Sequence, residues 1–513
     1  MRKALLVLMC SGALAACGST VQMRSTSTLP GATDDGLGTT GGSLGTSTGA
    51  ATTGAVVPGS TGSGATSSSG TGAVVGTSGS SGTSGTGIGG MGQPATTGPR
   101  VTGGKPANVP GVTATTVKLG VEYISTAELG AFANAAGVKA VGQTDMLQAY
   151  QAAVAAVNKE GGVAGGRKLV IVPRQRSTSE SNTQAAQATC AAFTDDNRVL
   201  LANRFLEQGS PAVACLASKG VVSIGGAAVE AGSQDDFQHF AGKYTSPGTA
   251  ETITAGRAYV QALVRQQFLT KSNKIGLLWF DFPDFQQAKD RGIVPALKAG
   301  GLNLKDDFRA TYSGSGSDLG AIASQMQSAE LKFASEGIDR VLTLDYQGTL
   351  QFFFMSSAES QGYRPKYGMA SWSDAEFLRA NSSANQLAGS TGIGWMPGYD
   401  LEVGQLPVDA PKRRCLAAMK AGGVPPLAAQ TDTLIQLRAC EEVFFAQRLL
   451  NSATDLSPRG LAAAAAALGS QPSYSGFADQ YGSSKLWGAS AYRDLAFDSS
   501  CKCFSYRGPN RPF

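Results

Sequence analysis

The residues able to do chemistry are few, and they fall at the ends of short apolar runs. Ser125 and Thr126 follow the run 117–124, and Asn203 and Arg204 sit at the end of 199–205. Gly226 and Ala227 follow 221–225, and Tyr244 precedes Thr245-Ser246-Pro247-Gly248. Later in the chain, Asp281 and Asp284 follow 274–280, Tyr346 and Gln347 follow 340–344, and Trp372 follows 366–371. Hydroxyls and glycine amides can hold a carboxylate, and Asp281 or Asp284 can pair with an ammonium. Tyr123, Tyr244, Trp279, Phe285, Tyr346 and Trp372 offer faces for stacking. The set suits a small polar molecule with an apolar portion. Each residue alone also reads as a cap or turn, and Trp279, inside an apolar run, reads as core. Their common position makes the stronger case, because ligands of open parallel sheets bind beyond the carboxyl ends of the strands.

The same inventory argues against an enzyme. His239 is the sole histidine, placed in the polar stretch 234–239 with no nucleophile motif beside it. H-E-x-x-H and the P-loop lysine motif are absent. Asp235-Asp236 and Asp306-Asp307 are adjacent in sequence; neighbouring residues do not face each other on a helix or strand, so these pairs read as solvated turns. Cys501-Lys502-Cys503 lacks zinc spacing, and no metal or cofactor is expected. The G-x-G-x-x-G at 85–90 has no strand before it and no helix after it. The net charge of +5 is spread over 513 residues without a Lys/Arg block, which leaves no nucleic-acid footprint.

From residue 117 strands and helices alternate with short joints, the pattern of an α/β domain with parallel sheets. Strands are expected at 117–124, 169–172, 199–205, 221–225, 274–280, 307–312, 340–344, 366–371 and 392–397. Helices are expected over 180–193, 211–218, 250–268, 285–299, 319–334, 350–360 and 431–450. An opening helix carries Leu147, Tyr150, Val154 and Val157 on one face. That helix ends in Asn158-Lys159-Glu160-Gly161-Gly162-Val163-Ala164-Gly165-Gly166-Arg167-Lys168-Leu169. Glycine there closes the helix in the left-handed conformation and returns the chain to a buried strand. The wording N-x-x-G-G-V-x-G, followed by a basic residue and Leu, resembles the first helix-to-strand joint of type I periplasmic-binding proteins, the branched-chain amino acid-binding kind. The resemblance implies two lobes, each a parallel sheet flanked by helices, joined by a three-crossing hinge. The first lobe would be about 113–248 with 398–453, and the second about 249–397 with 454–513. It further implies a ligand carboxylate at Ser125 and the Gly226-Ala227 turn, with Tyr244 a first-lobe contact near the hinge. Two departures disfavour amino-acid specificity: Arg174-Gln175-Arg176 stands where the family often has acidic residues, and Glu128 stands where a small residue is common.

The first hundred residues differ in kind. Arg2 and Lys3, the apolar run 4–9 and Leu14-Ala15-Ala16-Cys17 read as an export signal ending in a segment that resembles the bacterial lipobox. Cleavage after residue 16 would leave Cys17 lipidated, with more than one acyl chain, as stable anchoring requires. Residues 17–108 are dominated by Gly, Ser, Thr and Ala and cannot bury enough apolar surface to fold. A coil of that composition spans roughly 50 Å over about 90 residues. With Cys10 lost in the signal, Cys190, Cys215, Cys415, Cys440, Cys501 and Cys503 remain, and six cysteines allow fifteen connectivities. Local pairing, Cys190–Cys215 and Cys415–Cys440 with Cys501–Cys503 a tight pair, is the preferred arrangement; the larger loops would contribute about 3 kcal/mol each. Residues 109–513 are thus expected to form a solute-binding domain, lipid-anchored on the outer face of the cell membrane. It would capture an amino acid, amide or aromatic acid for an ABC-type permease, or serve as a ligand-sensing surface receptor without one.

Overall fold

The computed structural model describes residues 109–138, 142–203, 211–225, 232–240 and 242–513. Five parallel strands form the first sheet: β1 (Thr116–Tyr123), β2 (Lys168–Gln175), β3 (Leu201–Asn203), β4 (Val222–Ile224) and β5 (Tyr244–Thr245), in the order β2-β1-β3-β4-β5. Val117, Leu119 and Val121 alternate along β1 into a core shared with helices Met146–Lys159 and Gln430–Ser452. Period-two alternation puts Gly120 on the opposite face, where a Cβ would stand 2.8 Å from the Phe193 ring. Phe193, Ala212, Leu216 and Val221 fill that second face, fastened by a Cys190–Cys215 disulfide.

The 158–169 joint forms as its glycines demand. Gly161 and Gly162 have φ of 105° and 75°, and the Gly162 amide donates to the Val157 carbonyl at 2.9 Å, closing the helix. Asn158 then clamps the incoming strand: its Nδ2 donates to the Leu169 carbonyl (2.9 Å), and its Oδ1 accepts from the Leu169 amide (2.8 Å). Arg167 Nε donates to the Thr113 carbonyl (2.9 Å), and the Ala164 amide to Asn451 Oδ1 (2.8 Å). The joint thus ties helix, sheet and the distant Gln430–Ser452 helix together at the amino end of β2.

The second sheet contains β6 (Ile275–Phe280), β7 (Leu304–Ala310), β8 (Arg340–Leu344), β9 (Lys366–Met369) and β10 (Thr391–Gly394) in parallel, in the order β10-β9-β8-β6-β7. All six residues of β6 are buried, the pattern of a strand covered by helices on both faces; Trp279 is core, as its place in the run implies. After a short two-stranded sheet of β11 (Ser470–Gln471) and β12 (Asp479–Gln480), the chain adds β13 (Ala491–Asp498) and β14 (Cys503–Pro512) antiparallel beside β10. The second sheet is therefore mixed: a tight hairpin, not a crossover helix, supplies its last two strands. Cys501 and Cys503 are bonded at the hairpin turn, and Cys415–Cys440 joins helix Ala410–Ala421 to Gln430–Ser452. Among the described residues no helix is long and apolar enough to cross a membrane.

Three segments pass between the sheets. The first leaves β5 at Ser246 and the second leaves β10 at Trp395. The third comes later than residue 454, where the resemblance put it: Leu461, Ala464 and Ala465 of helix Pro458–Ala467, with Tyr474 and Tyr481, belong to the first core. The crossing follows at 484–487 and runs beside the first, with the Ser246 amide donating to the Leu486 carbonyl (3.0 Å) and the Gly488 amide to the Ser246 carbonyl (2.8 Å). Buried carboxylates lace these segments. Glu441 accepts from Ser473 Oγ and from the amides of Tyr474 and Ser475, and Asp479 accepts from the Gly248 amide. Asp400 accepts from Ser371 Oγ (2.8 Å) and the Tyr506 hydroxyl (2.5 Å) at the second crossing.

Candidate functional site

The carboxyl ends of both sheets face one cleft. Past β1, Ser125 caps helix Thr126–Ala135 by accepting from the Glu128 amide (3.3 Å), and the next turns present Leu129 and Phe132. Past β2 come Arg176 and Thr178; past β7, Tyr312, Gly314 and Gly316; past β8, Tyr346, Gln347 and Thr349. Thr431, Leu434 and Ile435, in the first turns of Gln430–Ser452, complete a cavity of about 130 Å³. It adjoins a chamber of about 480 Å³ across a common wall that includes Leu129, Phe132, Leu319 and Leu434. Phe352, Phe353 and Phe377 line the chamber, their rings edge to face at 5.1 and 5.6 Å.

The lobes meet across the mouth. The Asn182 amide donates to the Ser313 carbonyl and the Gly316 amide to the Thr178 carbonyl, both at 2.7 Å, and Ser315 Oγ reaches the Ser179 carbonyl at 3.1 Å. A Cβ at Gly314, where φ is +89°, would lie 2.2 Å from Asn182 Oδ1, so only glycine lets that side chain approach.

The charges in the cleft are uneven. Arg174 is fully engaged, by Glu122 (2.9 Å) and Glu180 (2.5 Å). Arg176 is 3% exposed, and its side chain has one partner among the described residues: its Nη2 donates to Asn182 Oδ1 at 3.0 Å, and its Nη1 has none there. Burial pushes the Tyr312 hydroxyl up to about 12, opposed by the Arg176 charge, so it faces the cavity protonated. In the larger chamber Arg379 is clasped by Glu376 (2.6 and 2.7 Å) and paired with Glu402 (2.9 Å). No cluster of potential metal ligands occurs among the described residues.

The model of the periplasmic binding protein family matches residues 126–485. The chain belongs to that family. Solved periplasmic binding proteins share the fold. One is an ABC transporter substrate-binding protein from Desulfitobacterium hafniense in complex with Leu (TM-score 0.52, 16% identity, covering 76% of this chain and 100% of that one). Another is a fatty acid ABC transporter substrate-binding protein from Thermomonospora curvata (TM-score 0.54, 18% identity, 80% and 95% covered). A third is a solute-binding protein from R. palustris in complex with 4-hydroxybenzoate (TM-score 0.55, 14% identity, 77% and 96% covered). Among curated proteins nothing matches significantly.

Of the strand-end residues singled out in the sequence, Tyr346 and Gln347 line the cleft. Ser125 and Thr126 do not line it, the first serving as a cap and the second holding its Oγ1 3.4 Å from Asp145 Oδ2. Asn203 donates to the Tyr150 hydroxyl (2.9 Å), which donates to Glu442 (2.6 Å), the partner of Arg438; it belongs to a buried network of the first lobe. Tyr244 is buried and stacked on Phe237 at 4.6 Å. Asp281 lies 3.6 Å from Arg309, and Asp284 is buried in the first turn of Pro283–Gln287; neither lines the cavities. Trp372 is fully buried, its Nε1 donating to the Thr343 carbonyl (2.8 Å) and its ring between Tyr259 and Trp395. The chain makes a tight turn after β9 that folds this side chain under the sheet. Gly226, Ala227, Arg204 and Cys17 lie outside the described residues. Reading from strand ends alone passes over Leu129, Phe132, Leu434 and Ile435, which come from helices. For the first pair a signal exists, since Ser125-x-x-Glu128 is a helix-start signature; for Arg176 it is the pair of arginines, Arg174 and Arg176, at the end of β2.

Proposed function

We propose that this chain is the extracytoplasmic solute-binding component of an ABC-type uptake system, attached to the membrane through lipid on Cys17. The observation that carries the reading is the cavity between the carboxyl ends of two sheets that three crossings connect, a geometry in which hinge motion opens and closes a ligand site. The ligands of the related structures, Leu and 4-hydroxybenzoate, and the fatty acid for which a third is named, are small organic acids, which agrees with a mostly apolar cavity holding one arginine. Capture requires no catalytic step.

Thermal-shift measurements on the purified protein with pools of amino acids, amides, and aromatic and aliphatic acids test the reading. A true ligand at a hundred times its Kd stabilises the folded state by about 2.7 kcal/mol. Absence of a shift with every pool would overturn the proposal.

A further inference from the structure

Among the described residues the cleft contains a buried cation without an anion. Arg176 is desolvated, its Nη1 has no partner among them, and the described acidic side chains of the neighbouring segments are engaged elsewhere. Glu122 and Glu180 pair with Arg174, and Glu128 accepts from Ser177 Oγ (2.8 Å) and Gln175 Nε2 (3.2 Å). Among the described residues that line the smaller cavity none is acidic. A guanidinium stripped of water is unfavourable unless a charge-assisted partner arrives, and its planar fork suits a carboxylate. Arg379, the arginine that lines the larger chamber, offers no such opening, because it is neutralised by Glu376 and Glu402. Beyond the shared wall of Leu129, Phe132, Leu319 and Leu434 the space widens to about 480 Å³ lined with phenylalanines.

Resting on the reading of this cleft as a ligand site, the geometry points to one class of solute: a monocarboxylate with an extended apolar body and no α-ammonium, its carboxylate on Arg176 and its fatty or aryl-alkyl portion running toward Phe352 and Phe377. An α-ammonium would enter the smaller cavity beside Arg176 with no carboxylate lining it, which sets the acid apart from the corresponding amino acid.

The test is calorimetric titration of the full-length chain, and of Arg176→Gln and Arg176→Met, with octanoate, 4-phenylbutanoate, octanamide and 2-aminooctanoate. The expected result is binding of the two acids, with the amide at least about thirtyfold weaker, the affinity lost when one partner of a buried charge pair is removed, and with the amino acid weaker because its ammonium would be buried unpaired. Both variants should lose the preference for acid over amide while melting no lower than the parent, which shows that they are folded. Equal binding of octanoate and octanamide, or a preference that survives in Arg176→Gln, overturns the inference and leaves solute capture standing. Binding of an amino acid or amide from the wider pools with none of the acids does the same. No binding of any solute overturns both.

Discussion

Gly162 and Gly314 are both held at positive φ, and both exclude a side chain, yet they serve different ends. A Cβ at Gly162 would stand 2.2 Å from the Arg167 carbonyl, inside the joint that ties helix to strand; at Gly314 it would strike the side chain of Asn182 at the cleft mouth. Gly162→Val should therefore lower stability by about 2–4 kcal/mol through backbone strain and displacement of the strand carbonyl, seen as a fall in the denaturation midpoint. The ligand affinity of the surviving folded protein should stay unchanged, and a weakened Kd would show that the joint reaches the cleft. Asn158 and its glycines were legible in the sequence because their work is local. Arg176 was visible only as a basic residue in an unusual place: burial and the exhaustion of its neighbours by Arg174 are properties of the tertiary structure. Trp372 misled for the converse reason, as a tight turn after the strand sends its ring inward to Tyr259 and Trp395.

Among the elements, long apolar strands and periodic helices follow the sequence closely, β8 and helix Pro211–Ser218 to the residue. Helix Thr126–Ala135 does not: it is alanine-rich, with Ala133 its one buried residue, so no apolar stripe announces it. The C-terminal hairpin was equally silent, since β14 lies at a sheet edge with half its residues exposed and carries Arg507, Pro509 and Arg511 rather than an apolar run. Its Tyr506 nevertheless reaches the second crossing, where burial pushes Asp400 up to about 7 despite hydrogen bonds from Tyr506 and Ser371. An unfolded aspartate ionises near pH 4, so between about pH 4 and 7 the folded chain holds a proton that the unfolded chain has released. Stability from this group is fully present below that window, falls as pH rises through it, and levels off above the folded value, with a span of up to about 4 kcal/mol. Asp400→Asn should remove this share of the slope, measured as denaturation free energy against pH. An unaltered slope would mean that Asp400 is ionised in the folded chain throughout.

At the scale of the molecule, covalent cross-links respect the division into lobes. Cys190–Cys215 and Cys415–Cys440 lie within the first lobe and Cys501–Cys503 within the hairpin of the second, so each body is stiffened and none of these bonds opposes hinge bending. The two-lobed plan was readable from strand–helix alternation together with the 158–169 joint; the late third crossing was not, because six of the ten residues of helix Pro458–Ala467 are alanine and the helix does not declare which core it joins. Attachment to a membrane is a separate matter from capture. Cys17→Ser should abolish incorporation of labelled palmitate and move the protein from the membrane to the soluble fraction with its ligand Kd unchanged; continued incorporation of label would place the lipid elsewhere. The mouth of the cleft carries a last consequence. Its two shortest bridges, Asn182 to Ser313 and Gly316 to Thr178, run from peptide group to peptide group. Such a latch is indifferent to which side chains line the cavity behind it. Lineages descended from this chain are therefore free to exchange one solute for another by changing the lining, without reinventing the means of shutting the door.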